Sequence, residues 1–224
     1  PFSSALPVDV NRQSTRDNID FQHVFTPGPS FRMVWGAEAR RDWVQSASAF
    51  YGYGDASNRL WRTFANGEWR PIERVVLNAG AMYERYNGES PRVAPRLFAN
   101  WTPVTGHTLR AGYSVAYREP SLFEQRADQR FYAGPVLLSY PIFGSGNVKP
   151  ERIDAYELGW VEQWSGWSTD LRVYDERIAN LVYRPDTHTP AGFTPVVSGT
   201  QTYANANEDV FATGAELQVK ARPW

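Results

Sequence analysis

The stretch "LRAGYSVAYREPSLFEQ", residues 109–125, begins with ten residues in which apolar and polar side chains alternate. One set of alternate positions is apolar or aromatic: Leu109, Ala111, Tyr113, Val115 and Tyr117. A period of two predicts a β-strand with two unlike faces. In a soluble sheet the polar face contacts water, whereas in a membrane barrel the apolar face contacts lipid and the polar face lines the interior. The fold therefore depends on the environment of these two faces.

The same alternation recurs along the whole chain and predicts nine strands. They lie at about 18–25, 31–40, 58–70, 74–84, 92–102, 109–118, 152–164, 167–183 and 209–221. Several of these runs are longer than the usual strand of a globular protein, which has about five or six residues.

Short and long connections alternate between these strands. Tight turns rich in proline or glycine are predicted at 26–29, 70–73, 102–106 and 164–167. Irregular loops are predicted at 44–57, 87–91, 119–151 and 184–208. Barrels of the bacterial outer membrane have this asymmetry, with short periplasmic turns and long extracellular loops. Aromatic residues near strand ends fit the two interfacial girdles of such a barrel: Trp43, Trp69, Trp101, Tyr117, Trp164 and Trp167.

Composition narrows the fold and excludes several classes of function. The 224 residues show no internal domain boundary and include no cysteine. Because the 23 basic side chains are balanced by 24 acidic ones, the chain has no basic surface of the kind that binds nucleic acid. Aromatic residues make up 15% of the chain and charged residues 21%, while the mean hydropathy is −0.50. A soluble sandwich or propeller is the alternative, but the strand lengths and turn asymmetry favour an all-β, antiparallel transmembrane β-barrel, with 1–224 as one partial barrel segment.

Five motifs then occur in order: "YREPSLFE" at 117–124, "GNVKPERIDAYELGW" at 146–160, "LRVYDERIANLVY" at 171–183, "YANAN" at 203–207 and "GAELQVKARP" at 214–223. Together they resemble the C-terminal half of TonB-dependent outer-membrane receptors, strongly over 91–224 and only in strand pattern over 1–90. The resemblance implies an energy-coupled receptor of the bacterial outer membrane that takes up a ferric siderophore or a similar scarce ligand. It also implies coupling to the TonB complex through a plug domain that residues 1–224 lack. A passive porin, or the membrane anchor of an enzyme or adhesin, is the alternative.

Four charged residues are the candidate contacts of that plug: Arg118, Glu124, Glu151 and Glu157. Pro120 and Pro150 interrupt strand pairing, so the flanking strands form a hairpin that brings Arg118 near Glu151 and Arg152. An ordinary surface ion pair is the other interpretation. Glu124 and Glu157 share the parity of inward positions, and the resemblance implies that such glutamates face plug arginines, although hydration in a wet lumen explains them equally well.

Eight loop residues are the candidate ligand contacts, because a planar or anionic chelate can stack on rings and pair with guanidinium groups. They are Tyr51, Tyr53, Arg126, Arg130, Phe131, Tyr132, Tyr140 and Phe143. Packing within the girdle or the loops is the alternative for each of them. Isolated histidines and the absence of catalytic motifs indicate neither an enzyme nor a cofactor, and the "PDTHT" segment at 185–189 is expected to be solvated and not to bind a metal.

Nine strands predict that the chain alone does not close, since bacterial single-chain barrels use even numbers and transporters of this type have about 22 strands. Trp224 is out of phase with the apolar positions of its strand, which predicts a further turn there. We therefore expect open edges and a requirement for detergent.

Overall fold

The computed structural model describes residues 11–87, 89–185 and 200–222, and almost all of its regular structure is β. In chain order the elements are β1 (Gln13–Gly28), β2 (Phe31–Gln45), β3 (Asp55–Ile72), β4 (Val75–Tyr86), β5 (Arg92–Val104), β6 (His107–Arg118), α1 (Leu122–Arg126), β7 (Asp128–Ala133), β8 (Val136–Phe143), β9 (Glu151–Trp164), β10 (Trp167–Ala179), β11 (Val182–Tyr183), β12 (Gln201–Thr202), β13 (Ala204–Asn205) and β14 (Val210–Ala221).

Nine long strands form one antiparallel sheet in the order β1-β2-β3-β4-β5-β6-β9-β10-β14. The short elements lie in the connections, so each long strand pairs with the next long strand along the chain, and the predicted nine-strand meander is confirmed. Among the described residues, no helix is long and apolar enough to cross a membrane.

Two sequence-based boundaries are wrong. The connection predicted as an irregular loop at 119–151 contains α1 and the β7–β8 hairpin, which joins β12 in a separate three-stranded sheet. The strand predicted at 167–183 ends at Ala179, because Asn180 adopts a positive φ of 57° that breaks the ladder, and β11 begins beyond it.

Each long strand has one set of alternate positions that is mostly polar. Strand register places these sets on one face of the large sheet, which we call the polar face. Arg110 of β6 lies opposite Gly159 of β9, which lies opposite Arg172 of β10, and the same parity continues to both edges of the sheet. This polar face also carries aromatic rings over glycines, since Phe64, Phe98 and Tyr174 are the cross-strand partners of Gly36, Gly112 and Gly214. Alternation in the sequence therefore becomes two chemically distinct faces.

The other face exposes large apolar side chains along every long strand. Examples from successive strands are Phe21, Trp35, Trp61, Tyr83, Leu97, Leu109, Leu158, Val173 and Leu217. No second sheet covers this face in the described part of the chain. The buried apolar cluster lies instead near the long loops, where Ala49, Phe50, Ala56 and Leu122 pack together. A soluble sandwich would bury the exposed face, so this arrangement favours contact with lipid.

Prolines lie just before three of the four tight turns, and the register advances by one residue at each. The shifts fall between Phe25 and Gly28, between Trp69 and Ile72, and between Trp101 and Val104. The prolines inside these segments are Pro27, Pro71 and Pro103. Because proline cannot donate to a ladder, it fits the unpaired residue of a bulge. Consequently β3 and β5 extend beyond their predicted ends, and their turns are only residues 73–74 and 105–106.

Candidate ligand-binding site

The long connections at one end of the strands form a packed layer, which we call the loop end. Phe50 of the β2–β3 loop forms a parallel bridge with Asp128 of β7. The Tyr51 backbone N–H donates to the Asp128 carbonyl at 2.8 Å, and the Asp128 N–H donates to the Ala49 carbonyl at 2.8 Å. These bonds, together with the apolar cluster around Phe50, fix the β7–β8 hairpin against the barrel strands.

Arg130 is the centre of an aromatic group that we call the Arg130 cluster, made of Tyr51, Asp128, Arg130, Tyr132 and Tyr140. The Arg130 guanidinium donates to both oxygens of Asp128, from Nε at 2.6 Å and from Nη2 at 2.8 Å. It also lies 4.9 Å from the centroids of both the Tyr51 and Tyr140 rings. Tyr51 stacks on Tyr132 with centroids 5.3 Å apart. The structure therefore brings four of the predicted ligand residues together, but the charge of Arg130 is already neutralised.

Two tyrosines of this cluster have a raised pKa, so their phenol groups stay neutral. Burial, followed by the nearby Asp128 carboxylate, raises the pKa of Tyr140 to about 12, and only 3% of its surface is exposed. The hydrogen bond with Tyr132 raises the pKa of Tyr51 above its ordinary value. At neutral pH the cluster presents uncharged rings around one internal ion pair, which suits stacking and not anion capture.

Three further predicted residues line a groove beside this cluster. Tyr53, Arg126 and Phe143 border a cavity of about 360 Å³ between the β2–β3 loop and the end of β8. Tyr53 is 75% exposed, and within the described residues no hydrogen bond or ion pair engages the exposed Arg126 guanidinium. Phe143 contacts the Tyr140 ring edge to face at 6.0 Å, which connects the groove to the cluster. The eighth residue, Phe131, is half-buried on β7 opposite Ser139.

Arg118 joins two carboxylates at the hairpin mouth, as the sequence predicts for Glu151. Its Nε and Nη2 donate to Glu151 at 2.6 and 2.8 Å, and its Nη1 donates to Glu124 at 3.2 Å. Arg152 does not join this group, because it lies on the opposite face and donates to Asp154 at 2.7 Å.

The parity argument for Glu124 is wrong, because strand geometry ends before this residue. Glu124 is the third residue of α1, where its carboxylate accepts from the Ser121 N–H at 2.6 Å and its own N–H donates to Ser121 Oγ at 3.1 Å. This reciprocal pair is a capping box. The signal for it was in the sequence, since Ser121 and Glu124 have the S-x-x-E spacing.

Glu157 lies on the polar face, as predicted, and arginines of the neighbouring strands contact it. Arg110 Nε is 3.2 Å from Glu157 Oε1, and Arg172 Nε is 3.1 Å from Oε2. These arginines extend the network to Asp170 on β10 and Glu216 on β14. Strand alternation places Arg110 and Arg172 on the polar face, but a period of two does not reveal that they are the partners of Glu157.

A second cavity, which the sequence did not predict, lies between β1–β3 and the start of the β6–β9 connection. It has a volume of about 600 Å³, and its lining includes Arg12, Arg16 and Arg40 together with Asp42 and Glu119. Arg40 approaches Asp42 at 3.2 Å and donates to the Tyr86 hydroxyl at 3.3 Å. Arg16 and Arg40 lie on the polar face of β1 and β2. Strand alternation was therefore the signal that could have placed both arginines in one interior cavity.

Glu119 forms part of the wall of this cavity, and its pKa is raised. Its carboxylate contacts the Arg92 guanidinium, while Glu84 and Glu89 lie close by. Burial raises the pKa of Glu119 to about 7, against the opposing effect of Arg92. This carboxyl group therefore titrates near neutral pH.

The described residues contain no group of three or more histidine, cysteine, aspartate or glutamate side chains arranged to hold a metal ion. Most of the "PDTHT" segment, together with Trp224, lies outside the described residues.

Comparison with known proteins gives a consistent result over nearly the whole chain. The family profile described as "TonB dependent receptor-like, beta-barrel" matches residues 3–224. An iron-regulated outer membrane virulence protein of Vibrio cholerae serotype O1 is 22% identical over 178 residues, which are 78% of this chain and 27% of that protein.

Solved structures show the same fold at low sequence identity. The siderophore receptor PirA of Pseudomonas aeruginosa has a TM-score of 0.71 at 16% identity, covering 92% of this chain and 36% of that one. The Serratia marcescens hemophore receptor HasR, in complex with its hemophore HasA and heme, has a TM-score of 0.75 at 16% identity, covering 93% of this chain and 39% of that one. The chain thus spans less than two fifths of the length of each of these three proteins.

Proposed function

Because the chain belongs to the TonB-dependent receptor-like β-barrel family, a family of bacterial outer-membrane receptors and not of enzymes, we propose that it forms part of an energy-coupled receptor for an iron chelate. The observation that carries this proposal is the family match across residues 3–224. The two unlike faces of the sheet support it, since the apolar face suits lipid and the polar face suits a wet lumen.

The loop end is the proposed binding region for a ferric siderophore or a similar ligand. Beside one groove, Tyr53 supplies an exposed ring, Phe143 a half-buried ring, and Arg126 an exposed guanidinium with no ion pair or hydrogen bond among the described residues. Tyr51 and Tyr132 offer a stacked pair at its side, while Arg130 and Tyr140 hold that pair in place. Planar, electron-rich and anionic chelates match this combination of aromatic rings and the Arg126 guanidinium.

The polar face is the proposed contact of a plug domain, through which the TonB complex would drive release. Glu157 is the strongest of the four proposed residues, because it faces the lumen within a long strand and anchors a network of arginines. Arg118, Glu124 and Glu151 bind one another at the loop end, so their contribution is to hold the loop that a plug would meet.

Uptake of radiolabelled ferric chelates by cells that carry the full-length receptor as their one iron receptor tests this function. We expect uptake of at least one chelate, and we expect deletion of the TonB partner to abolish it. Uptake that persists without TonB would identify a passive barrel instead. Glu157→Gln should lower uptake while the receptor still assembles in the outer membrane.

The ligand contacts are tested by the affinity of the purified receptor for the transported chelate, followed by quenching of tryptophan fluorescence. Arg126→Gln should weaken binding about tenfold, since a charge-assisted hydrogen bond contributes about 1.5–3 kcal/mol. The matched control is Arg70→Gln, which removes an arginine from the opposite end of the sheet, where Arg70 pairs with Glu68. Equal weakening by both variants would reject the groove as the binding site.

A further inference from the structure

One asparagine of the "YANAN" motif ties separate segments of the loop end together. Asn205 of β13 accepts a hydrogen bond at its Oδ1 from the Lys149 backbone N–H at 2.7 Å. Its Nδ2 donates to the Lys149 carbonyl at 2.8 Å and to the Asn180 carbonyl at 2.7 Å. These partners fix the orientation of the amide, because a flipped amide would place an acceptor against two acceptors. Asn205 therefore joins the chain before β9 to the chain after β10.

This set of bonds requires an amide side chain at position 205. An aspartate would keep the acceptor for the Lys149 N–H, but its second oxygen would face two carbonyl oxygens, and an alanine would lose all three bonds. Asn207 lies two residues later in the same motif and is exposed, and no hydrogen bond engages its side chain in the described part of the chain. The two asparagines of the motif therefore differ in what they hold.

The segment that Asn205 holds lies against the groove bordered by Tyr53, Arg126 and Phe143. Just before Asn205, strand β12 pairs in parallel with the end of β8, where Thr202 is the partner of Phe143. The next residue, Tyr203, contacts the Phe123 ring of α1 edge to face at 6.4 Å. The chain around β12 therefore supports one wall of the groove from behind.

The residues that follow β8 hold the backbone of Arg126. The Gly144 N–H donates to the Ala127 carbonyl at 2.5 Å, and the Gly146 N–H donates to the Gln125 carbonyl at 3.0 Å. A Cβ atom added to Gly144 would lie 2.7 Å from the Arg126 backbone nitrogen, so the two segments are in direct contact. Because this stretch continues into Lys149, the bonds made by Asn205 fix its far end.

We infer that Asn205 is a positioning residue for this groove, because it holds the connection at 180–209 against the connection at 119–150 and so keeps β12 on β8. Among the described residues, none from 180–209 lines the groove, so the effect of Asn205 reaches it through Phe143 and Arg126. The inference rests on the proposed function, which assigns the groove to ligand binding. It gives the second long connection a role in the shape of the site without a contact to the ligand.

Hydrogen–deuterium exchange of the full-length receptor in detergent tests the positioning without any ligand. Asn205→Ala should raise the exchange rate of backbone amides at 125–146 about tenfold, the change expected when the net contribution of about one hydrogen bond is lost. Asn205→Asp should also raise it, because its carboxylate repels the two carbonyls, whereas Asn207→Ala should exchange as the wild type does. An increase confined to residues 147–149 and 180–182 would show a local role and overturn the inference.

A disulfide tether supplies the matching rescue. Gln201 and Ile142 are register partners on β12 and β8, and neighbouring strands lie about 4.8 Å apart, which a disulfide can bridge. The 224 residues contain no cysteine, so Gln201→Cys with Ile142→Cys introduces one defined pair. In Asn205→Ala the closed disulfide should return exchange at 125–146 to the wild-type rate, and reduction should raise it again. A closed disulfide that leaves the exchange fast would contradict the inference.

Binding of two probes, ferric citrate and a ferric tris-catechol complex, then separates this inference from the function on which it rests. Asn205→Ala should weaken the binding of whichever probe the wild type binds about tenfold, and the closed tether should restore it. Unchanged affinity in Asn205→Ala despite faster exchange would overturn the positioning role. Binding of neither probe by the wild type would count against the proposed function, whereas the exchange rates alone decide whether Asn205 positions the groove.

Discussion

At the scale of single residues, burial controls the protonation of Glu119. Its pKa of about 7 lies above the ordinary value of 4.5, so the folded chain binds this proton more tightly than the unfolded chain does. The stability contributed by the protonated carboxyl is complete below pH 4.5 and is lost as the pH rises through about 7. Raising the pH through this range therefore removes the stability that the protonated Glu119 contributes to the folded chain.

We predict that Glu119→Gln removes this pH dependence. The amide keeps the shape of the side chain but cannot ionise, so the unfolding temperature of the variant relative to the wild type should rise between pH 5 and pH 8. Thermal unfolding of the receptor in detergent, followed by circular dichroism at each pH, measures the difference. Glu89→Gln controls for the loss of one negative charge near Arg92, and a difference between Glu119→Gln and wild type that does not vary with pH would contradict the prediction.

Sequence reasoning located residues well where the strand alternation continued and failed where it stopped. Glu157 lies on the predicted face because β9 is unbroken on both sides of it. Glu124 does not follow strand parity, because α1 begins after Pro120. Arg130 was assigned to a ligand, but an aspartate two residues before it accepts hydrogen bonds from the Nε–Nη2 edge of its guanidinium. Such contacts depend on loop conformation, which the period of two does not encode.

At the scale of elements, rings on the polar face use the space left by glycines on the adjacent strand. A Cβ atom added to Gly112 would lie 2.2 Å from the Phe98 ring, and one added to Gly214 would lie 2.5 Å from the Tyr174 hydroxyl. The aromatic side chain therefore covers the backbone of its neighbour and packs the two strands together, which favours a single register.

We expect Gly112→Ala to destabilise the receptor by about 1–3 kcal/mol, because the Phe98 ring must move from its position over the strand. Gly67→Ala is the matched control, since its nearest neighbouring atom would be an ordinary 3.4 Å away. Urea titration of both variants in detergent measures the free energy of unfolding. Adding Phe98→Leu to Gly112→Ala should recover part of the loss, and equal effects of the two alanine substitutions would argue against close ring packing.

The existence of the nine long strands was predictable from alternation, whereas several of their ends and the contents of the longest connection were not. All nine strands were found because each keeps a period of two over at least one membrane-spanning length. The β7–β8 hairpin was missed because its strands have six and eight residues and register shifts interrupt their pairing. Proline marked three of the four turn regions correctly, but Pro27, Pro71 and Pro103 lie before the turns, inside the bulges.

At the scale of the whole molecule, the two faces of the sheet determine how it lies in the bilayer. Leu217 and Gln218 are adjacent on β14 and point to opposite faces, where they are the cross-strand partners of Leu171 and Asp170. Leu217 is 66% exposed, which is consistent with contact with lipid chains. This pair separates the cost of a charge in lipid from the cost of a charge in the lumen.

We predict that Leu217→Arg destabilises the intact receptor by about 2–4 kcal/mol, the cost of an arginine near the bilayer midplane. Gln218→Arg should have little effect, because the new charge faces the aqueous lumen next to Asp170. Refolding into vesicles across a denaturant series measures both variants. Equal tolerance at the two positions would contradict the assignment of the apolar face to lipid.

The bulges that precede three of the turns have a practical consequence for engineering this barrel. Each already accommodates one surplus residue without changing which face the following strand presents to lipid. The hairpin between β9 and β10 has no such shift, so its two strands are held in one continuous register up to Trp164 and Trp167. Short epitopes or fluorescent labels are therefore best inserted beside Pro27, Pro71 or Pro103, where they would report from the periplasmic rim while the wall of the barrel keeps its orientation.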